Sequence, residues 1–237
     1  MTMKSRRLVL LGAAIGGAVV VAVVLIVVAA GGSSKKATTT AGGTGTSVAD
    51  PVSLFAGVPQ RGDTLGKTGA PASILVFEDP QCPYCAEWTL NALPTVVDQF
   101  VRPGKVKLVY RGIAILGPNS VKGLRAVFAA GKQNKLWNVS EALYQMQGAE
   151  NSGWITDTAI SSAARKAGAN GAQIVADSPS KSVSAQLVVA DRAATMYQVR
   201  GVPTFLIVQP PALPRQLNVT SLDPGAFSAD LQQALAQ

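Results

Sequence analysis

Apolar and polar positions divide the chain into three stretches. Leu8 to Ala30 runs 23 residues without a charge, enough for a helix rising about 1.5 Å per residue to cross a hydrocarbon core of roughly 30 Å. Gly31 to Asp50 has no such pattern: thirteen of its twenty residues are Gly, Ser or Thr, a flexible coil reaching about 25 Å. Beyond it the pattern becomes that of a folded domain. Ser73 to Phe77, SILVF, is a short, partly β-branched apolar run that predicts a strand covered on both faces. Leu90, Leu93, Val97 and Phe100 recur at helical steps, with Pro103-Gly104 as the stop and Pro94 as a predicted kink. Val106 to Tyr110 predicts a second strand, parallel to the first across a right-handed β-α-β crossover.

Helical spacing then dominates. Val121, Leu124 and Phe128 mark one helix, and Leu136, Val139, Leu143 and Met146 a second. Thr156 to Gly168 is a third, while Val183, Leu187, Ala190, Ala194 and Tyr197 mark a long fourth. Strand patterns return at Thr204 to Gln209 and Gln216 to Thr220, separated by the proline-rich turn Pro210 to Pro214, and an amphipathic helix closes the chain from Pro224 to Ala236. The predicted fold class is α/β in the order β-α-β, helical insertion at about 117–199, β-β-α, preceded by a transmembrane helix.

Charge orients the N-terminus. Lys4, Arg6 and Arg7 precede the apolar run, so the positive-inside rule puts residues 1–7 in the cytoplasm, 8–30 in the membrane, and the 31–50 linker and 51–237 domain outside. A cleaved signal peptide is the competing reading, with Val28-Ala29-Ala30 as its cleavage site, but its apolar region is usually about 7–15 residues. The run is read as an anchor. Residues 51–237 hold 16 basic and 12 acidic side chains, and this modest excess is no nucleic-acid footprint. With no histidine and two cysteines, no structural metal site is expected.

Both cysteines lie in FEDPQCPYCAEW, as Cys82-Pro83-Tyr84-Cys85. If Cys82 caps a helix, Pro83 takes the first helical position, where its missing N–H costs nothing. Cys82 then faces free backbone N–H groups at the positive end of the helix dipole, which favour a thiolate, while Cys85 is shielded one turn deeper. One sulfur is the nucleophile and the other resolves. A purely stabilising bridge is the plainer reading, but a crosslink gains with the loop it closes, and this loop is among the smallest possible. Half a zinc site is another, and the chain holds no second pair to complete it.

These residues resemble the DsbA-like branch of the thioredoxin superfamily, in particular its membrane-tethered bacterial members. The likeness covers roughly residues 54–237: a strand entering FEDPQCPYC, a long helical insertion, and Gly201-Val202-Pro203-Thr204 leading into a strand like that superfamily's cis-proline loop. Leu65-Gly66, Leu93-Pro94, Val109-Tyr110-Arg111 and Glu150 to Trp154 are also similar. C-P-Y-C occurs in glutaredoxins too, but the 117 residues between Cys85 and Pro203 favour the DsbA-like type.

The resemblance implies Cys82 as exposed nucleophile, Cys85 as resolving thiol, and a cis Val202-Pro203 bond that leaves Val202 free to pair with an extended peptide. Pro83, Tyr84, Val202, Pro203 and Thr204 would border the substrate groove. It implies an extracytoplasmic thiol:disulfide oxidoreductase, mainly an oxidase of exported proteins, with no cofactor beyond its Cys82–Cys85 disulfide and a membrane partner to reoxidise it. A reductase or isomerase of the same fold is the alternative, and a tethered peptide-binding or chaperone module with a merely structural disulfide is another. Two positions depart from the pattern. Many relatives carry an acid six residues before the first cysteine, where this chain has Val76, and Tyr84 replaces the histidine of strongly oxidising members. Glu78 and Asp79 read as solvated loop carboxylates.

Overall fold

The computed structural model describes residues 49–237. The expected membrane span at 8–30 lies outside them, and among the described residues no helix is long and apolar enough to cross a membrane. The elements are α1 (Pro51–Leu54), β1 (Gln60–Arg61), β2 (Thr64–Leu65), β3 (Ala72–Glu78), α2 (Pro83–Glu87), α3 (Leu93–Val96), β4 (Val106–Gly112), α4 (Pro118–Ala130), α5 (Leu136–Tyr144), α6 (Asp157–Lys166), α7 (Gly171–Asp177), α8 (Lys181–Met196), β5 (Thr204–Val208), β6 (Arg215–Gln216) and α9 (Pro224–Leu235).

The sheet runs β1-β2-β4-β3-β5-β6. Strand β3 is central, parallel to β4 and antiparallel to β5, so its apolar run is covered by neighbours in the sheet and by packing above and below. The parallel β3–β4 pair is the predicted crossover unit. Its register sets Glu78 against Gly112, so the two strands end together, at the edge where open α/β sheets hold their sites.

Pro94 is accommodated differently from the expected kink. Residues Trp88–Ala92 and Val97–Val101 wind as wider π turns on either side of α3, with Leu93 N–H reaching Trp88 O and Arg102 N–H reaching Val97 O. The widened turn relieves the clash between the proline ring and the preceding carbonyls, so the helix continues. It also shifts the helical phase: Leu90, expected in the core, is half-buried, whereas neighbouring Val96 and Val97 are both buried.

Five helices, α4 to α8, fill the chain between β4 and β5. Two aromatic clusters tie them and α9 to the sheet. Tyr110 of β4 meets Phe128 and Trp137 edge-on at 5.6 and 5.7 Å, and Phe205 of β5 meets Trp88 and Phe227 at 5.0 and 4.9 Å. Each such pair adds about 0.5–1.5 kcal/mol beyond burial. Val121, expected in the core, is exposed, and the predicted strand 216–220 shortens to β6. Helix α1, the β1–β2 hairpin and α7 are additions to the predicted order.

Candidate active site

Strand β3 carries the chain into the motif and α2 begins inside it. Cys82 is the N-cap of α2, in extended conformation at φ −75° and ψ 120°, and Pro83 occupies the first turn. Cys82, expected as an exposed nucleophile, is instead buried with 5% of its surface free, because the Val202 loop packs on it, and Cys85 has none; both are thiols. Across from them the Val202–Pro203 peptide bond is cis, and the Cys82 Sγ donates to Val202 O at 3.4 Å. Cys82, Cys85, Ala86 and Tyr144 form a small apolar cluster with Leu90, Leu116 and Val202 against it. Pro83 and Tyr84 face outward, Tyr84 with 63% of its surface free. Thr204 turns its hydroxyl back to Gly201 O, 2.8 Å away, within its own loop.

The two thiols diverge electrostatically. Cys82 is lowered to about 7, first by hydrogen bonding from the Cys85 thiol and then by the Cys85 and Tyr84 backbone N–H groups at the helix start; burial and Asp79 act against it. Cys85 is pushed well above the ordinary thiol, chiefly by burial, then by the Cys82 thiol and Glu78. A thiol near neutrality leaves and attacks as thiolate, whereas its buried partner needs a proton brought to it or removed.

Glu78 and Asp79 are both buried, which corrects their reading as solvated loop residues. A strand covered on both faces also covers the residues in which it ends. Asp79 accepts four hydrogen bonds: Oδ1 from Gln81 N and Ser120 Oγ, Oδ2 from Ile115 N and Leu116 N, at 2.7–3.0 Å. It thereby fixes the β3–α2 loop against the loop that leaves β4. Gln81 extends the knot: its Nε2 reaches Ser120 Oγ at 2.9 Å and its Oε1 accepts from Asn151 N at 2.7 Å. Gly117 is required there, because its φ is 114° and a Cβ would lie 2.6 Å from Asn151 Oδ1. From the insertion, Tyr144 donates to Asp79 O at 3.1 Å, and Gln147 donates to Pro80 O and Cys82 O at 2.9 and 3.1 Å.

Glu78 has a different setting. Its Oε1 accepts from Thr89 Oγ1 at 3.0 Å, and Thr89 lies one turn beyond Cys85, so the carboxyl faces the helix side that carries the resolving thiol. Burial raises Glu78 to about 8; Thr89 opposes the rise, and Glu141 and Cys82 add to it. Val76, six residues before Cys82 and two before Glu78, is buried and points to the same face of β3. Glu78 thus places a buried carboxyl one strand period beyond that position.

The thioredoxin family model matches residues 60–210, more than half of the chain, and the chain belongs to that family. It is similar to the probable disulfide bond formation protein D of Bacillus cereus, 28% identical over 158 residues that span 65% of this chain and 72% of that protein. Oxidised BdbD of Bacillus subtilis matches with a TM-score of 0.63 and 17% identity, over 76% of this chain and 98% of that one. Chlamydia trachomatis DsbA matches at 0.61 and 17%, over 74% and 92%. Within the family, this chain is a DsbA-like thiol:disulfide oxidoreductase.

Proposed function

We propose that the protein is an extracytoplasmic oxidase, tethered by the apolar run 8–30, that transfers its Cys82–Cys85 disulfide to thiols of exported proteins and uses no other cofactor. The observation that carries disulfide exchange here is Cys82 itself, a thiol lowered to about 7 at a helix start, beside the Val202 carbonyl; the oxidising direction is supported by the outward-facing position that the charges before the apolar run imply. An extended peptide lying along Val202 would pair with its backbone as with a sheet edge, with Pro83, Tyr84, Pro203 and Thr204 around it.

A substrate thiolate attacks Cys82 Sγ and the Cys82–Cys85 bond breaks. Cys85 leaves and takes the Glu78 proton, because its own thiolate is strongly disfavoured. The substrate's second thiolate then attacks its own sulfur in the mixed disulfide, and Cys82 leaves as a thiolate without needing a proton. Two electrons have passed from substrate dithiol to enzyme, which a membrane partner reoxidises. The anchor and linker would hold the domain near that partner.

A second reading, reductase or isomerase, is favoured by one observation. Cys82 at about 7 lies near thioredoxin, about 7, and far from strongly oxidising DsbA, about 3.5. The reduction potential decides between the two: the oxidase is expected well above about −270 mV and below about −120 mV, with the pair mostly disulfide when thiols are trapped in living cells. A value near −270 mV with a mostly reduced pair overturns the oxidase. Membrane fractionation tests the tether: mature protein found free and starting near Gly31 refutes it.

A further inference from the structure

The domain holds a second buried acid that the exchange just described does not use. Glu141 is on α5, in the helical insertion, and is fully buried. Its Oε1 accepts a long hydrogen bond of 3.4 Å from Gln145 Nε2, and its Oε2 has no partner. A residue kept for structure alone would satisfy both oxygens, since an unmatched polar atom away from water costs about 1–3 kcal/mol.

Its position connects it to the redox centre. Three residues on, along the same helix face, Tyr144 bonds the carbonyl of Asp79, the residue next to Glu78. Helix α5 also packs on the 88–92 turn carrying Thr89, the donor to Glu78. Outward from Glu141, half-buried Gln145 accepts from exposed Lys166 Nζ at 3.3 Å. Glu141 is thus on a helix that packs against the turn holding Glu78's donor, and its own donor Gln145 leads to the surface.

We propose that Glu141 is a positioning residue for disulfide exchange, relaying protons between Glu78 and the solvent edge at Gln145 and Lys166. The proposal rests on the oxidoreductase reading. After Glu78 gives its O–H proton to the departing Cys85 sulfur, the Glu78 carboxylate takes the proton of Glu141. The Glu141 carboxylate then takes one from water at the Gln145 edge. At most one of the two carboxyls is charged at any step, as two like charges sharing a low-dielectric site require. Other titratable groups of this compartment are Asp79, Cys82, Tyr110 and Tyr144. Of the charged side chains on helices and turns packed against α5, Lys122 is held by Asp157, Arg125 by Ser178 and Ser184, Lys132 by Asp177 and Arg165 by Ser162, so among the described residues Lys166, bonded to Gln145, is the cation at the Glu141 exit. Burial raises Glu141 to about 8, in keeping with a proton held at neutral pH.

Only four glutamates occur in the chain, Glu78, Glu87, Glu141 and Glu150, so carboxyl-carbon NMR of the full chain in detergent, labelled at glutamate, resolves the question. Two resonances are expected to titrate far above the ordinary carboxyl range. In Glu141→Gln one of them is lost and Glu78 titrates lower. A Glu141 that titrates in the ordinary range in the wild-type chain, which needs no variant to fold, overturns the proposal, as does a Glu78 left in place by E141Q. The alkaline limb of the exchange rate against pH should move down with Glu78 in E141Q. A wild-type chain that exchanges disulfides, with a limb E141Q leaves in place, overturns the relay alone. A wild-type chain that exchanges none at any pH overturns the oxidoreductase reading as well.

Discussion

Acidifying the protein from pH 7 to pH 5 should stabilise it. The chain has no histidine, so the usual titrating group of that window is missing. Glu78 and Glu141 each sit at about 8 when folded against an ordinary 4.5. Between those values the folded state holds a proton at each carboxyl and the unfolded chain does not. Their stabilisation is therefore fully present below 4.5 and is lost as pH rises through 8. Each contributes about 1.4 kcal/mol per pH unit in between, so two groups over two units amount to roughly 5 kcal/mol. Cys82 works in the opposite sense: its lowered thiol stabilises above the ordinary 9.0, and this is lost as pH falls through about 7. Below pH 7 that remaining loss is only about 0.4 kcal/mol, the value of RT ln 2 for a half-ionised group. Urea unfolding of the full chain, followed by the fluorescence of its three tryptophans, measures the slope at pH 5, 6 and 7. Glu78→Gln should roughly halve it. Stability that is flat or falls on acidification refutes the reasoning.

Alkylation of the reduced protein should be half-maximal for Cys82 near pH 7 and negligible for Cys85 below pH 9, a difference mass spectrometry of the labelled peptides reads directly. Asp79→Ala strands two buried donors, Gln81 N and Ser120 Oγ, and two part-buried ones, Ile115 N and Leu116 N, and should cost about 3 kcal/mol in unfolding free energy. Asp79→Asn should also destabilise, since its NH₂ must face two of those donors whichever way it flips. Tyr84→His places a cation beside Cys82 and should make the potential less negative. Tyr84 is largely exposed, which limits the effect to about one pK unit, or about 30 mV; an unchanged potential in an equilibrium with glutathione would refute the electrostatic account.

What the sequence makes legible is what its local chemistry determines. C-P-Y-C needs only a helix start to acquire its asymmetry, and SILVF needs only its own composition to read as a buried strand. Observed strand β3 extends that reading by one residue at each end. The misses share a cause. Strands β1, β2 and β6 are two residues each, too short for alternation to register. Helix α7 has seven residues with only Ile174 buried, and is set by its Asn170 cap more than by an apolar stripe. Leu90 and Val121 fit an ideal helical period that the π turns and the ends of the helices do not keep. Glu78, Asp79 and Glu141 were illegible for a further reason: a carboxyl reads as solvated until the elements that cover it are known, and two of those elements lie more than thirty residues away. An acidic pair ending an otherwise almost wholly apolar strand was the one signal that could have found Glu78 and Asp79.

Tyr144 and Gln147, which bond the backbone of the C-P-Y-C loop, come from the helical insertion and not from the strands and helix that carry the cysteines. The insertion is thus no detachable accessory. Grafting FEDPQCPYC onto a minimal scaffold without α5 would transplant the two sulfurs but not their surroundings, leaving the loop carbonyls of Asp79, Pro80 and Cys82 without these donors and Glu78 open to water. Conversely, exchanging insertions between relatives would retune the chemistry along with any change in substrate preference. In this chain the carbonyls of the motif loop and their donors in the insertion form one hydrogen-bonded unit, and moving either alone would break it.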